Sequence, residues 1–332
     1  MSEHLQYKLD SCVWELTRRC NMRCIHCGSR AGETGGKELS RGQALSIADQ
    51  LLELGCRRVT LIGGEVTLYP YWVDVARKIS QSGAVCDVVT NGCGKTAEDL
   101  DAFHQAGVSS VAVSVDGFRE THDNLRGKAG AFAELENFCH AMVVRGIPLT
   151  AVTTITRRSL ADLEPLSRWM CEQYVQNWQW QQVSPMGRAG EHPDLCLTRE
   201  DMKQLLEMYR DLSKRIPILL ADNVGYYYKG LQRFLGCAAG LCVIGLDCEG
   251  NVRGCESLSD PRFIEGNALE RRLKDIWENP NAFAYNRQFR IDALTGRCAE
   301  CLYGPLCAGG CRSFNASNGN LYSNPTCVAE VR

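Results

Sequence analysis

The chain has 332 residues, 45% of them hydrophobic and 23% charged, with a formal net charge of -2. That length suffices for one large domain and a smaller one, and the balanced charge points to neither nucleic acid nor a membrane surface as partner. The opening MSEHLQYKLDSCVWELTRRC lacks an apolar core and a small-residue cleavage site, and no apolar run is long enough to span a bilayer, so the expectation is a cytoplasmic protein.

From Cys12 to Pro185, short β-rich runs alternate with amphipathic helical runs. Strands are predicted at 12–17 (CVWELT), 57–63 (RRVTLIG), 86–92 (CDVVTNG), 109–117 (SSVAVSVDG), 148–156 (PLTAVTTIT) and 177–184 (NWQWQQVS). The first helix starts after Ser40, with Gln43 three residues on to complete a capping box. Leu45, Ala48, Leu51, Leu52 and Leu54 keep helical spacing, and Gly55 ends the run. Further helices are expected near 70–82, 96–106, 130–145, 159–173 and 197–216, the last capped by Thr198. Six strand–helix units in series predict parallel strands with right-handed crossovers, an α/β fold built as an open sheet or a barrel. Functional residues of such folds sit at the carboxyl ends of the strands. In the sixth strand Trp178 and Trp180 face one way, under helices, and Gln179 and Gln181 face the other, toward the interior. Beyond about residue 236 cysteines become dense and helical periodicity fades except near 267–288, so a domain boundary is set between 225 and 226.

Nineteen cysteines without a secretion signal read as metal ligands rather than a disulfide scaffold. Cys20, Cys24 and Cys27 follow the first strand as C-x3-C-x2-C. Three thiolates so close converge on one metal centre. They suit a cubane iron–sulfur cluster with one open iron, or a zinc site with a remote fourth ligand. Gly63-Gly64-Glu65 ends the second strand. Its glycines allow close backbone approach to a ligand or positive φ, and its carboxylate can accept from an ammonium group; a plain tight turn is the alternative.

The cysteine loop and the turn after it resemble the signature of the radical S-adenosylmethionine superfamily. His26 stands where that family usually has an aromatic ring, and Val66 where it commonly has proline. The resemblance implies a partial (β/α)6 TIM-type barrel over 1–225, with a cluster on Cys20, Cys24 and Cys27. It implies that Gly63, Gly64 and Glu65 hold the amino group of the bound methionine, and that Ser114 and Arg126 bind its carboxylate. Asp116 serves either the ribose or the turn. Asn91 is a weaker candidate of the same kind, and the segment PMGRAG (185–190) resembles a family loop near the adenine.

The C-terminal pattern runs C237-x4-C242, G250-x4-C255, C298-x2-C301-x5-C307-x3-C311 and Cys327. It resembles the SPASM domain of radical enzymes, here over 226–332, which houses two auxiliary [4Fe–4S] clusters; a pair of zinc knuckles is the alternative. The resemblance implies Cys237, Cys242, Cys255 and Cys311 on one cluster and Cys298, Cys301, Cys307 and Cys327 on the other, three clusters in all. Cys248 lies close enough in sequence to replace Cys242. Glu256, directly after Cys255, is the candidate catalytic base, with a solvated turn residue as the alternative. The remaining cysteines read as core filling, Cys93 being the best placed as a hydrogen-atom donor. Tyr226–Tyr228 either line a peptide channel or pack ordinarily.

Together these implications describe an enzyme that reductively cleaves S-adenosylmethionine to a 5′-deoxyadenosyl radical and abstracts hydrogen from a peptide, as in maturation of a ribosomal peptide by crosslinking, epimerisation or excision. A sulfatase-type protein maturase and a radical dehydrogenase of a small alcohol or sugar are the alternatives; an electron carrier or zinc protein is the non-enzymatic one. Implied partners are a precursor peptide or protein and a flavodoxin- or ferredoxin-type reductant; because little chain precedes the first strand, any leader is expected to be recognised by a separate protein or by the core enzyme.

Overall fold

The computed structural model describes residues 7–33, 37–224 and 236–329, plus the backbone of a small ribbon at 227–228 and 231–232. All six predicted strands form: β1 (Ser11–Glu15), β2 (Arg58–Ile62), β3 (Val85–Thr90), β4 (Ser110–Ser114), β5 (Leu149–Ile155) and β6 (Asn177–Gln182). They pair in chain order and all in parallel, and a seventh strand, β7 (Ile218–Leu220), adds to β6. The three residues of β7 were too few to read as a strand in the sequence.

The connecting helices are α1 (Arg41–Glu53), α2 (Trp72–Gln81), α3 (Ala97–Gln105), α4 (Glu120–Arg126), α5 (Ala131–Val144), α6 (Leu163–Glu172) and α7 (Arg199–Leu212). Their starts follow the capping chemistry. Ser40 with Gln43, Thr96 with Asp99 and Thr198 with Asp201 each close a full capping box. Helix α4 was not expected. Its seven residues are too few to show apolar periodicity, and it stops at Gly127 in the left-handed conformation.

One face of each strand packs under these helices. Val59, Leu61, Val88, Val111, Val113, Ala151, Trp178 and Trp180 are all fully buried there. Trp178 donates its indole N–H to Thr153 Oγ1 at 2.7 Å, and Trp180 meets Tyr209 of α7 edge-on. Each tryptophan contributes about 5 kcal/mol by apolar-area transfer, before entropy. The opposite face is only partly buried. Thr60, Ser110, Thr150, Asn177, Gln179 and Gln181 share it by strand register, and all are of intermediate exposure. The sheet therefore covers one face completely and leaves the other partly open, a mixed surface on which these polar groups alternate with Val13, Val89 and Val152.

The chain then returns to its beginning. After the ribbon strands β8 (Tyr227–Tyr228) and β9 (Leu231–Gln232), strand β10 (Val243–Leu246) pairs in parallel with β1, Ser11 opposite Val243. Strands β11 (Asn251–Arg253) and β12 (Gly266–Asn267) follow antiparallel, so the ten-stranded sheet runs β12-β11-β10-β1-β2-β3-β4-β5-β6-β7. The first strands of the cysteine-rich region thus extend the barrel sheet. The boundary set between 225 and 226, and the Tyr226–Tyr228 side chains, lie outside the described residues. Among the described residues no helix is long and apolar enough to cross a membrane.

Candidate active site

The carboxyl ends of β1, β2, β3, β4 and β6 meet around the cysteine loop. Beyond β1, Leu16 donates to Ile62, and the chain then pairs with the turn after β2: Gly64 N donates to Thr17 O and Glu65 N to Arg19 O, both at 2.8 Å. This explains the glycines. A Cβ on Gly64 would lie 2.4 Å from Arg19 O, and one on Gly63 would lie 2.8 Å from Thr17 O. Neither has positive φ, so close approach of the cysteine loop, not a special conformation, demands them.

From the other sides, Asn21 donates to Cys93 O and accepts from Asn91 Nδ2 at 2.7 Å, which ties the loop to the turn after β3. Ile25 N donates to Leu125 O of α4. Arg188, from the PMGRAG segment after β6, is buried behind the loop. Its guanidinium donates to Cys24 O at 2.8 Å, to Ala31 O at 3.2 Å and to Glu33 at 2.7 Å, while its backbone N donates to Cys27 O. The sequence had marked this segment only as a turn near the adenine; an arginine between glycines after a strand end was the unused signal.

Within this frame Cys20, Cys24 and Cys27 pack in one cluster, with Cys93 and Met22 against them. Burial, and then the neighbouring Cys24 and Cys27, push the Cys20 thiol up to about 11; Cys24 is also raised by burial, with Arg126 working against it. Among the described residues no three His, Cys, Asp or Glu groups close on one point as ligands of a single ion do.

Arg126 lies beside this trio, with Nη1 3.7 Å from Cys24 Sγ and Nη2 2.6 Å from Asp116. Asp116 is 1% exposed and also receives His26 Nε2 at 2.9 Å and Thr154 N at 2.8 Å. Burial opposes its ionisation, but Arg126 and then His26 hold the carboxyl well below the usual range. Asp116, expected to serve the ribose or the turn, is buried between Arg126 and His26 in this structure. Arg126 Nε and His26 Nδ1 are buried without a hydrogen-bond partner. Such unpartnered buried polar atoms beside the three thiols fit a bound cluster and a polar ligand on it. Ser114 is half-buried at the end of β4, on the same face as Val152 and Thr154.

Glu65 departs from its expected part. Its carboxylate is buried. Oε1 receives Thr67 Oγ1 at 2.9 Å, Thr90 Oγ1 at 2.8 Å and Lys95 Nζ at 3.1 Å, and Oε2 receives Asn91 N at 2.9 Å. The side chain staples the turns after β2 and β3 rather than standing free for a ligand ammonium. Cys93 is fully buried, with its thiol toward Ala131 O, which leaves it as core filling.

The C-terminal thiols fall into two groups. Cys255 is raised well above its ordinary value by burial, with Glu256, Cys311 and Cys237 adding to it, and Cys242 feels Cys237. Cys307 is pushed up to about 12 by burial, with Cys327, Cys298 and Cys301 beside it. These last four line one enclosed pocket with Gly309 and Gly310. Cys248 belongs to neither group: its neighbours are Glu15, Arg18, Asp247 and Glu249. None of the nineteen cysteines is joined in a disulfide.

Glu256 sits against the open face of the sheet. A Cβ on Gly245 of β10 would lie 2.2 Å from Glu256 N, so glycine there admits the Cys255–Glu256 backbone. The carboxylate accepts from Ser257 Oγ at 2.8 Å and lies 3.3 Å from Cys255 Sγ. It is close enough to Glu15 of β1 to help raise that carboxyl, after burial, which is the larger effect.

Residues 14–170 match the Radical SAM superfamily, and residues 237–302 match an iron–sulfur cluster-binding domain, SPASM. An AdoMet-dependent heme synthase of Methanosarcina barkeri is 27% identical, over 95% of this chain and 95% of that protein. The mycofactocin maturase MftC of Mycobacterium tuberculosis is 28% identical, over 94% of this chain and 81% of that one. Among solved structures, Streptococcus suis SuiB bound to S-adenosylmethionine superposes with a TM-score of 0.79 at 15% identity, covering 97% of this chain and 78% of that chain.

Proposed function

The chain belongs to the radical S-adenosylmethionine superfamily and carries a SPASM iron–sulfur domain, and from that premise we propose that it removes a hydrogen atom from a peptide or protein substrate. A reduced [4Fe–4S] cluster supplies the electron that splits S-adenosylmethionine into methionine and a 5′-deoxyadenosyl radical. The chain's own residues do the rest. Cys20, Cys24 and Cys27 hold that cluster. The Gly63–Glu65 backbone receives the methionyl amino group, and Arg126, aimed by Asp116, receives the carboxylate, with Ser114 next to it. Cys237, Cys242, Cys255 and Cys311 hold one auxiliary cluster, and Cys298, Cys301, Cys307 and Cys327 the other. Glu256 would accept the proton that the substrate radical gives up as its remaining electron passes to the auxiliary cluster beside Cys255. A flavodoxin- or ferredoxin-type protein is the reductant, and a separate protein presents the leader of the substrate. Free thiols in this number suit the reducing cytoplasm.

The observation that carries the peptide reading is the open strand face. Toward the carboxyl ends of β5 and β6, the hydroxyl of Thr154 and the amides of Gln179 and Gln181 stand there half-exposed. Such groups pair with the N–H and C=O of an extended chain. The name and near-equal length of the heme synthase relative favour a second reading, a tetrapyrrole with acidic side chains. That substrate calls for free cations at the mouth. Among β1–β7 the one basic side chain, Arg58, is paired with Asp87 at the opposite end.

The test is anaerobic incubation of reconstituted enzyme with reductant, S-adenosylmethionine and either a candidate precursor peptide or an iron porphyrin bearing propionates. The expected result is 5′-deoxyadenosine with a mass change on the peptide. Decarboxylated porphyrin with unaltered peptide would reverse the choice. Glu256→Gln should leave cofactor cleavage intact and slow product formation.

A further inference from the structure

Lys95 lies in the turn after β3, and nothing in the sequence singled it out. Its side chain is 5% exposed and stands 3.1 Å from the fully buried carboxylate of Glu65. The ammonium also donates to Thr67 Oγ1 at 2.9 Å and to Cys93 O at 3.3 Å. That same Cys93 carbonyl takes a second bond, from Asn21 Nδ2 at 3.0 Å. Asn21 stands between Cys20 and Cys24. One cation therefore joins the turns after β2 and β3 to the cysteine loop after β1.

A buried ammonium costs several kcal/mol in lost hydration, offset only when pairing and hydrogen bonding are both good. An apolar side chain would fill the same space at lower cost, so packing alone does not explain a lysine. Its partners do. Oε1 of Glu65 accepts from Thr67 N, Thr67 Oγ1 and Thr90 Oγ1 as well as from Lys95. That oxygen is saturated, and its charge is neutralised. An incoming methionyl ammonium is then left to the backbone carbonyls of the Gly63–Glu65 turn.

The geometry points to Lys95 as a positioning residue for the methionyl end of the cofactor: it pins the Glu65 carboxylate and sets the Gly63–Glu65 backbone at a fixed height over the cysteine loop. This rests on the reading that the amino group binds along that turn. Lys95 touches neither cluster nor cofactor and acts through Glu65, Thr67 and Cys93.

The experiment compares the reconstituted wild-type enzyme with Lys95→Met, Lys95→Arg and Thr67→Val. Iron content, S-adenosylmethionine affinity by anaerobic equilibrium dialysis, and 5′-deoxyadenosine formation are measured on each. Lys95→Met should retain wild-type iron and bind the cofactor about tenfold more weakly, equivalent to about 1.4 kcal/mol. Lys95→Arg should recover most of that loss, and Thr67→Val, which removes one partner without stranding a charge, should show a smaller one. Unchanged affinity in Lys95→Met overturns the proposal. So does a loss that tracks missing iron in every variant, since that marks a purely structural lysine. Wild-type enzyme that does not bind the cofactor defeats the underlying reading instead, and is recognised before any variant is made.

Discussion

The two cysteine-bearing regions are built on opposite principles. The loop of Cys20, Cys24 and Cys27 is held by polypeptide: backbone bonds to the turn after β2, Asn21 and Asn91 from the turn after β3, Leu125 of α4 and the Arg188 guanidinium. Behind it stands one continuous core that includes Trp14, Leu61, Val88 and Trp178. The region from Cys237 onward has β10 and β11 on the barrel sheet, but its helices are short, such as Leu273–Trp277 and Gly304–Cys307. Its own small cluster centres on Cys237, Ala239, Leu258 and Phe263. The lesson is that a strand–helix scaffold can shape a metal loop in advance. A region without one draws its folding energy from the metal.

Stripping iron anaerobically with a chelator is the harshest way to break that comparison. Hydrogen exchange should rise across 270–329, where structural metal is worth of order 10 kcal/mol, and stay low in β2–β6. Equal loss in both regions would erase the distinction. Arg188→Ala comes next. It strands the carbonyls of Cys24 and Ala31 and leaves Glu33 to Arg23 and Arg30, at about 3 kcal/mol, and should deplete the loop cluster while sparing the C-terminal ones. Iron content and cofactor cleavage report it; a fall in C-terminal iron would contradict it.

Acid should act on the barrel in a similar range. Burial, with Arg126 assisting, pushes His122 down to about 4. The unfolded chain takes up a proton near pH 6.5, well before the folded one does. Stability is therefore complete above that pH and falls as pH drops toward about 4, by about 3 kcal/mol in all. Denaturation midpoints across that window should show the slope, and His122→Phe should flatten it. The smallest effect is expected from Gly64→Ala, about 2 kcal/mol from the clash with Arg19 O and Ala31 Cβ, read as a lowered Tm.

Much of the barrel was legible because its signals are local. Alternation in CVWELT and NWQWQQVS placed strands, and Ser40 with Gln43 placed a helix start. The Trp and Gln faces of β6 came out as their alternation requires. The four thiols Cys298, Cys301, Cys307 and Cys327, which the resemblance grouped, line one pocket. What escaped was long-range or short. Helix α4 and strand β7 carry too few residues to show a period. The donors that surround the Asp116 and Glu65 carboxylates also escaped, because they arrive from other strands and turns.

Chain order alone determined that parallel strand–helix units would present a cysteine loop and a glycine turn at one end, because period, caps and spacing are properties of neighbours in sequence. Only the tertiary fold decided that β10 would dock on β1 and bring Glu256 to the open face, that Arg188 would brace the loop from behind, and that Lys95 would bind Glu65. Those partners lie tens to hundreds of residues apart. Their choice depends on which buried charges and bare carbonyls remain once the sheet has closed around them.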